Sequence, residues 1–117
     1  MSSGAAQFGS PLSGGYAGAK AAIRFMTAYA AEESTRAGLG IRFISVLPRL
    51  TAATDLGAAA VAAYANRVGV NVDQYVKEQG ATLRPDDVAK RLAELARSSE
   101  YAPGAYLLTQ AGLSLLA

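Results

Sequence analysis

Seven consecutive residues, Ile41 to Leu47 (IRFISVL), limit the fold more than any other stretch of the chain. The run is short, mainly apolar and rich in branched and aromatic side chains, the pattern of a strand covered on both faces in a parallel sheet. Pro48 stops it, because proline has no N–H to give to a ladder. A strand of this kind needs helices above and below, and the flanking sequence supplies them. Gly14 to Ala37 is expected as one long helix, with apolar positions at Ala19, Ala22, Ile23, Met26 and Ala30 and with Gly38 and Gly40 to end it. Downstream, Asp55–Arg67 reads as an Ala-rich helix with Thr54 as its N-cap, and Val72–Gln79 as a shorter helix between Asn71 and Gly80. Pro85–Ser98 is a third, with proline at its first position, Asp86 and Asp87 in the first turn and Val88, Leu92 and Leu95 on one face. Ala105–Thr109 (AYLLT) follows the Pro103-Gly104 turn as a last strand, and the apolar tail Leu113–Leu116 is long enough to pack on a neighbour. Helices alternating with apolar strands predict an α/β chain.

The start of the chain carries the candidate chemistry. Met1–Ser3 reads as a strand remnant and Gly4–Ser13 as a loop broken by Pro11 and glycines. Tyr16 and Lys20 follow at the head of the long helix, four residues apart and so on one face. A phenol is a poor proton carrier at neutral pH, and a neighbouring ammonium favours its phenolate, so the pair suits general acid/base work. Taken locally, Ser3 is also an ordinary strand-end turn residue, Tyr16 a helix-start aromatic and Lys20 a solvated charge. The spacing alone carries little information.

The longer segment carries more. SSGAAQFGSPLSGGYAGAKAAIRFMTAYAAEESTRAGLGIRFISVLP resembles the central segment of the short-chain dehydrogenase/reductases: a strand ending in Ser-Ser, a loop with Gly and Pro, Tyr-x-x-x-Lys opening a long helix, then a strand ending in Pro. The resemblance implies Ser3 as the serine that hydrogen-bonds the substrate oxygen, Tyr16 as the acid/base, and Lys20 as the lysine that assists Tyr16 and holds the nicotinamide ribose. It implies a threonine on the nicotinamide carboxamide, for which Thr51 is the candidate and Thr54 the alternative. The chain departs from the pattern here, with Arg49 where the family has Gly after the proline.

As a whole, the resemblance implies the C-terminal portion of a Rossmann-like doubly wound parallel sheet with Ala-rich helices, a single partial domain over residues 1–117. A complete member is longer and begins with a strand, a Gly-rich turn and a helix that binds pyrophosphate. Those cofactor-binding strands have no counterpart here, because no apolar strand precedes Gly9, Gly14, Gly15 or Gly18. The implied activity is hydride transfer between NAD or NADP and a small alcohol or carbonyl compound. The chain alone is expected to bind either cofactor weakly or not at all, to be inactive, and to form a homo-oligomer through its helix faces. A non-catalytic interaction module with a vestigial Tyr-Lys pair is the alternative.

Composition narrows the remaining classes. With 51% hydrophobic and 17% charged residues in 117, one domain can bury a core. Cys and His are both absent, which excludes disulfides, thiol chemistry and the usual zinc or haem ligand sets. Carboxylates adjoin only at Glu32-Glu33 and Asp86-Asp87, where helical neighbours point apart, so no metal site is expected. A net charge of +2 from scattered Lys and Arg argues against nucleic-acid binding. Neither a signal peptide nor a membrane-spanning run is visible, and a cytoplasmic protein is the expectation.

Overall fold

The computed structural model describes residues 1–117. It is a mixed α/β structure of five helices and a three-stranded sheet. In chain order the elements are α1 (Ala5–Phe8), α2 (Gly14–Arg36), β1 (Ile44–Pro48), α3 (Asp55–Val68), α4 (Val72–Glu78), α5 (Pro85–Arg97), β2 (Gly104–Thr109) and β3 (Gly112–Leu116). The sheet order is β1-β2-β3, with β1 and β2 parallel in the register Val46 to Tyr106. A parallel neighbour requires a long crossover, and α3, α4 and α5 form it. No helix is long and apolar enough to cross a membrane.

The two faces of β1 are covered differently. Val46 and Leu108 point to one side and pack with Leu83 and Leu95, joined by Ile44, Val88 and Leu92. The expected inner face of α5 is therefore the observed one. Ser45 and Leu47 alternate to the other side, where α2 lies against β1 and β2. That helix is rolled differently from its apolar pattern. Its inner stripe is Ala17, Ile23, Thr27, Ala30 and Ser34, while Ala19, Ala22 and Met26 are exposed. Small side chains let the helix axis come close to the sheet, and two serines fix the roll. Ser2 Oγ donates to the Lys20 carbonyl at 2.6 Å, and Ser34 Oγ donates to the Ile41 carbonyl at 2.7 Å.

Three local expectations are revised. Residues 5–8 form a helical turn instead of loop, started where Ser3 Oγ accepts the Ala5 N–H at 3.2 Å. The central strand begins at Ile44, not Ile41, because Ile41 is bonded to Ser34 and the Arg42 guanidinium reaches the end of α5. The tail expected to pack on a neighbour pairs within the chain instead. It turns at Gln110-Ala111 and runs antiparallel to β2 as β3, so the sheet is mixed. Met1–Ser3 does lie along the other edge of β1 in a parallel sense. Ser2 N–H donates to Val46 at 2.8 Å and Gly4 N–H to Pro48 at 3.0 Å.

Candidate functional site

A cleft of about 920 Å³ opens beyond the carboxyl ends of β1 and the Met1–Ser3 stretch, the place where open α/β sheets take ligands. Three segments build it. Residues 1–10 form one wall, the head of α2 a second, and the connection from β1 into α3 the third, with Val88 and Leu92 of α5 at its base. Its size falls in the range of small-molecule sites.

Ser3, Tyr16, Lys20 and Thr51, the four residues singled out in the sequence, all line this cleft. Tyr16 and Lys20 share the face of α2 that their spacing dictates, and Lys20 Nζ stands 5.6 Å from the centroid of the Tyr16 ring. At that distance the ammonium is attracted by the ring's negative face. The same ammonium donates to the Met1 carbonyl at 3.4 Å, which ties the helix head to the chain start. Ser3 Oγ is occupied as an acceptor by the Ala5 N–H, which leaves its own O–H free to donate into the cleft. Tyr16 is 40% exposed and lines the cleft.

Thr51 sits half-buried in the loop after β1. Its carbonyl accepts from Thr54 N–H at 3.2 Å and from Thr54 Oγ1 at 2.9 Å, and its own hydroxyl is not engaged. Thr54 caps α3, with Oγ1 accepting the Gly57 N–H at 3.0 Å, as its position before Asp55 predicts. The local reading of Thr54 as a helix cap therefore holds.

Other groups in the cleft follow from packing that sequence reading missed. Ser2 is buried and anchors α2 through the Lys20 carbonyl, so it positions the very residue whose side chain enters the cleft. A Ser next to a strand end gives no sign of that bond, which spans 18 residues. Tyr64 and Tyr75 line the cleft as well, with ring centroids 6.1 Å apart. Tyr64 Oη donates to Ser10 Oγ at 3.2 Å and lies 3.4 Å from Ser13 Oγ. That cluster fastens α3 to the loop before Tyr16.

The charge of the cleft is one-sided. Lys20 and Arg49 line it, and no carboxylate does. The titrating groups with displaced pKa values, Arg91, Glu94 and Tyr101, lie outside it. Chemically, the arrangement offers two hydroxyl donors, an ammonium beside a phenol and an apolar floor.

No protein-family model, curated protein or solved structure matches the chain.

Proposed function

We propose that the chain carries the catalytic segment of a short-chain dehydrogenase/reductase, acting on an alcohol or carbonyl compound with NAD or NADP, and belonging to the C-terminal portion of a Rossmann-like sheet. One observation supports it above the rest: Tyr16 and Lys20 meet at the head of α2 and open, together with Ser3, on one cleft beyond parallel strand ends. In this reading Tyr16 Oη gives its proton to the substrate oxygen as a carbonyl becomes an alcohol, and takes it back in the reverse direction. Ser3 O–H hydrogen-bonds the same oxygen. Lys20 holds positive charge beside the Tyr16 ring, 5.6 Å from its centroid. The same reading puts the protein in the cytoplasm.

The residues fit one end of a nicotinamide cofactor. Lys20 and Tyr16 would hold its ribose and Thr51 its carboxamide, and a bound nicotinamide would supply or accept the hydride. A pyrophosphate is ordinarily cradled by a Gly-rich turn between a strand and a helix N-terminus. The turn from β1 into α3, Arg49–Thr54, contains no glycine, and the glycines of α2 follow a loop. The chain by itself is therefore expected to bind NADPH weakly and to transfer no hydride at a useful rate.

A second reading, an interaction module whose Tyr-Lys pair is vestigial, is favoured by the surface. A compact monomer of 12.0 kDa exposes about 6,000 Å², whereas this chain exposes 7407 Å² and extends 52 Å along its longest axis. The excess is larger than the roughly 800 Å² that each partner buries in a standard interface. Phe25, Met26 and Tyr29 stand on the outer face of α2, at 73%, 67% and 57% exposure. Both readings thus include self-association through this helix.

Titration with reduced nicotinamide riboside, followed by NMR, separates them. The oxidoreductase reading requires saturable shifts at Ser3, Tyr16 and Lys20 that Lys20→Ala weakens. A chain that shows none, while sedimenting as a dimer, is an interaction module.

A further inference from the structure

We propose that Arg49 makes this cleft a site for an anionic carbonyl compound, an oxo acid whose carboxylate lies on the guanidinium while its carbonyl faces Tyr16. The carbonyl half rests on the oxidoreductase reading above, and the carboxylate half stands on charge and geometry.

Arg49 occupies the first position past β1. Its N–H donates to the Leu108 carbonyl at 3.0 Å, which extends the ladder by one residue and fixes the Cα at the carboxyl edge of the sheet. Its side-chain stem runs over Gly4, with Cγ 3.8 Å from the point a Cβ on Gly4 would occupy. The guanidinium gives none of its N–H groups to an acceptor of the chain. Arg24, Arg36, Arg42 and Arg91 each donate to a carbonyl or carboxylate; Arg67, Arg84 and Arg97 are as unengaged as Arg49, but none of them lines the cleft. Both ion pairs of the chain, Arg36 with Glu33 and Arg91 with Glu94, lie elsewhere. Arg49 therefore presents an unspent planar fork to a cleft that has a second cation, Lys20, and no acid.

A fork of this shape matches the two oxygens of a carboxylate. It would match a phosphate too, but the amides of a glycine-rich turn that ordinarily complete a phosphate site have no counterpart in Arg49–Thr54, which has no glycine, and this favours the carboxylate. Leu56, Val88 and Leu92, which line the same cleft, offer an apolar surface to the carbon body of such a ligand.

Acetoacetate and its neutral ethyl ester test the proposal without any cofactor. Titrated into the full chain at low ionic strength, the acid is expected to bind about tenfold more tightly than the ester, the equivalent of one charge-assisted pair. Arg49→Gln should abolish that preference and Arg49→Lys restore part of it, with unchanged circular dichroism because Arg49 is exposed. Equal binding of acid and ester overturns the proposal. So does an acid preference that survives Arg49→Gln, or inorganic phosphate that displaces acetoacetate at lower concentration than acetoacetate itself requires. The two readings fail separately. Loss of the acid preference with an intact response to nicotinamide riboside removes only the carboxylate site. An intact preference with no nicotinamide response removes the oxidoreductase and leaves an Arg49-dependent anion site.

Discussion

Gly57, in the first turn of α3, lies directly against the backbone of Thr51: a Cβ on it would stand 2.8 Å from the Thr51 carbonyl carbon and closer still to the carbonyl oxygen. The same Cβ would meet Thr54 Oγ1, the cap of the helix, at 2.9 Å. Helix propensity favours alanine over glycine by about 1 kcal/mol, but here the obstacle is main chain and cannot rotate away. Gly57→Ala is expected to destabilise by about 2 kcal/mol net, within the range for overpacked sites. Gly18, in α2 with nothing within 4 Å of its would-be Cβ, is the control. Gly18→Ala should stabilise by about 0.5–1 kcal/mol. Denaturant melts of the two variants should shift in opposite directions, and equal shifts would show that the loop carrying Thr51 is not held against α3.

Arg42 closes the end of another helix. Its guanidinium donates to the Leu95 carbonyl at 2.7 Å, to the Ser98 carbonyl and to the Tyr101 carbonyl at 3.2 Å. The last carbonyls of a helix lack intrahelical partners, and a cation there also suits the helix dipole. Arg42→Ala should cost about 1–2 kcal/mol, since several bonds from one charged group are lost at a partly exposed site. Arg42→Lys should recover only part of this, for want of the fork. Urea unfolding measures both. Because the link ties the approach to β1 to α5, the Arg42→Ala chain should also lose amide protection at Leu95 and Ser98 before it loses protection in β1.

What could be read in the sequence was local. The Thr54 and Asn71 caps sit one residue before their helices and accept from Gly57 and Gln74, as short-range chemistry requires. The parallel strands β1 and β2 were legible from the apolar runs IRFISVL and AYLLT, though only Ile44 onward of the first run is strand, and α5 from Pro85, its acidic first turn and its stripe of Val88, Leu92 and Leu95. What could not be read depended on partners far along the chain. Arg42 looks like a surface charge until α5 arrives beneath it 53 residues later. The β3 hairpin turns on Gln110-Ala111, which lacks the Asn-Gly type of signal. The roll of α2 was misjudged because nearly every face of it carries alanine, so apolar spacing does not choose among them. Ser45, on the α2 side of β1, keeps a buried hydroxyl without a hydrogen-bond partner.

Acidity and alkalinity should act on one exposed cluster with opposite signs. Glu94 accepts from Arg91 Nη1 at 2.7 Å and from the Tyr101 hydroxyl. The Tyr101 hydrogen bond, then the Arg91 bond and charge, hold the Glu94 carboxyl below its ordinary 4.5. Glu94 in turn, chiefly as acceptor of that bond, raises the Tyr101 phenol above its ordinary 10.0, and its hydrogen bond and charge raise Arg91. For a carboxyl depressed on folding, the stabilisation is complete above the unfolded value and is lost as pH falls below about 4.5 through the folded value. For a phenol raised on folding, it is complete below about 10 and is lost as pH climbs through the folded value. Melting temperature against pH for the wild type and Glu94→Gln should therefore differ at neutral pH and converge in acid. The wild-type and Tyr101→Phe curves should converge in alkali, with the edge-to-face packing on Tyr106 kept. The cluster is exposed and screened by solvent, so the separations should be small and should shrink further in high salt. Curves that run parallel at all pH values would mean that the three side chains do not meet in solution.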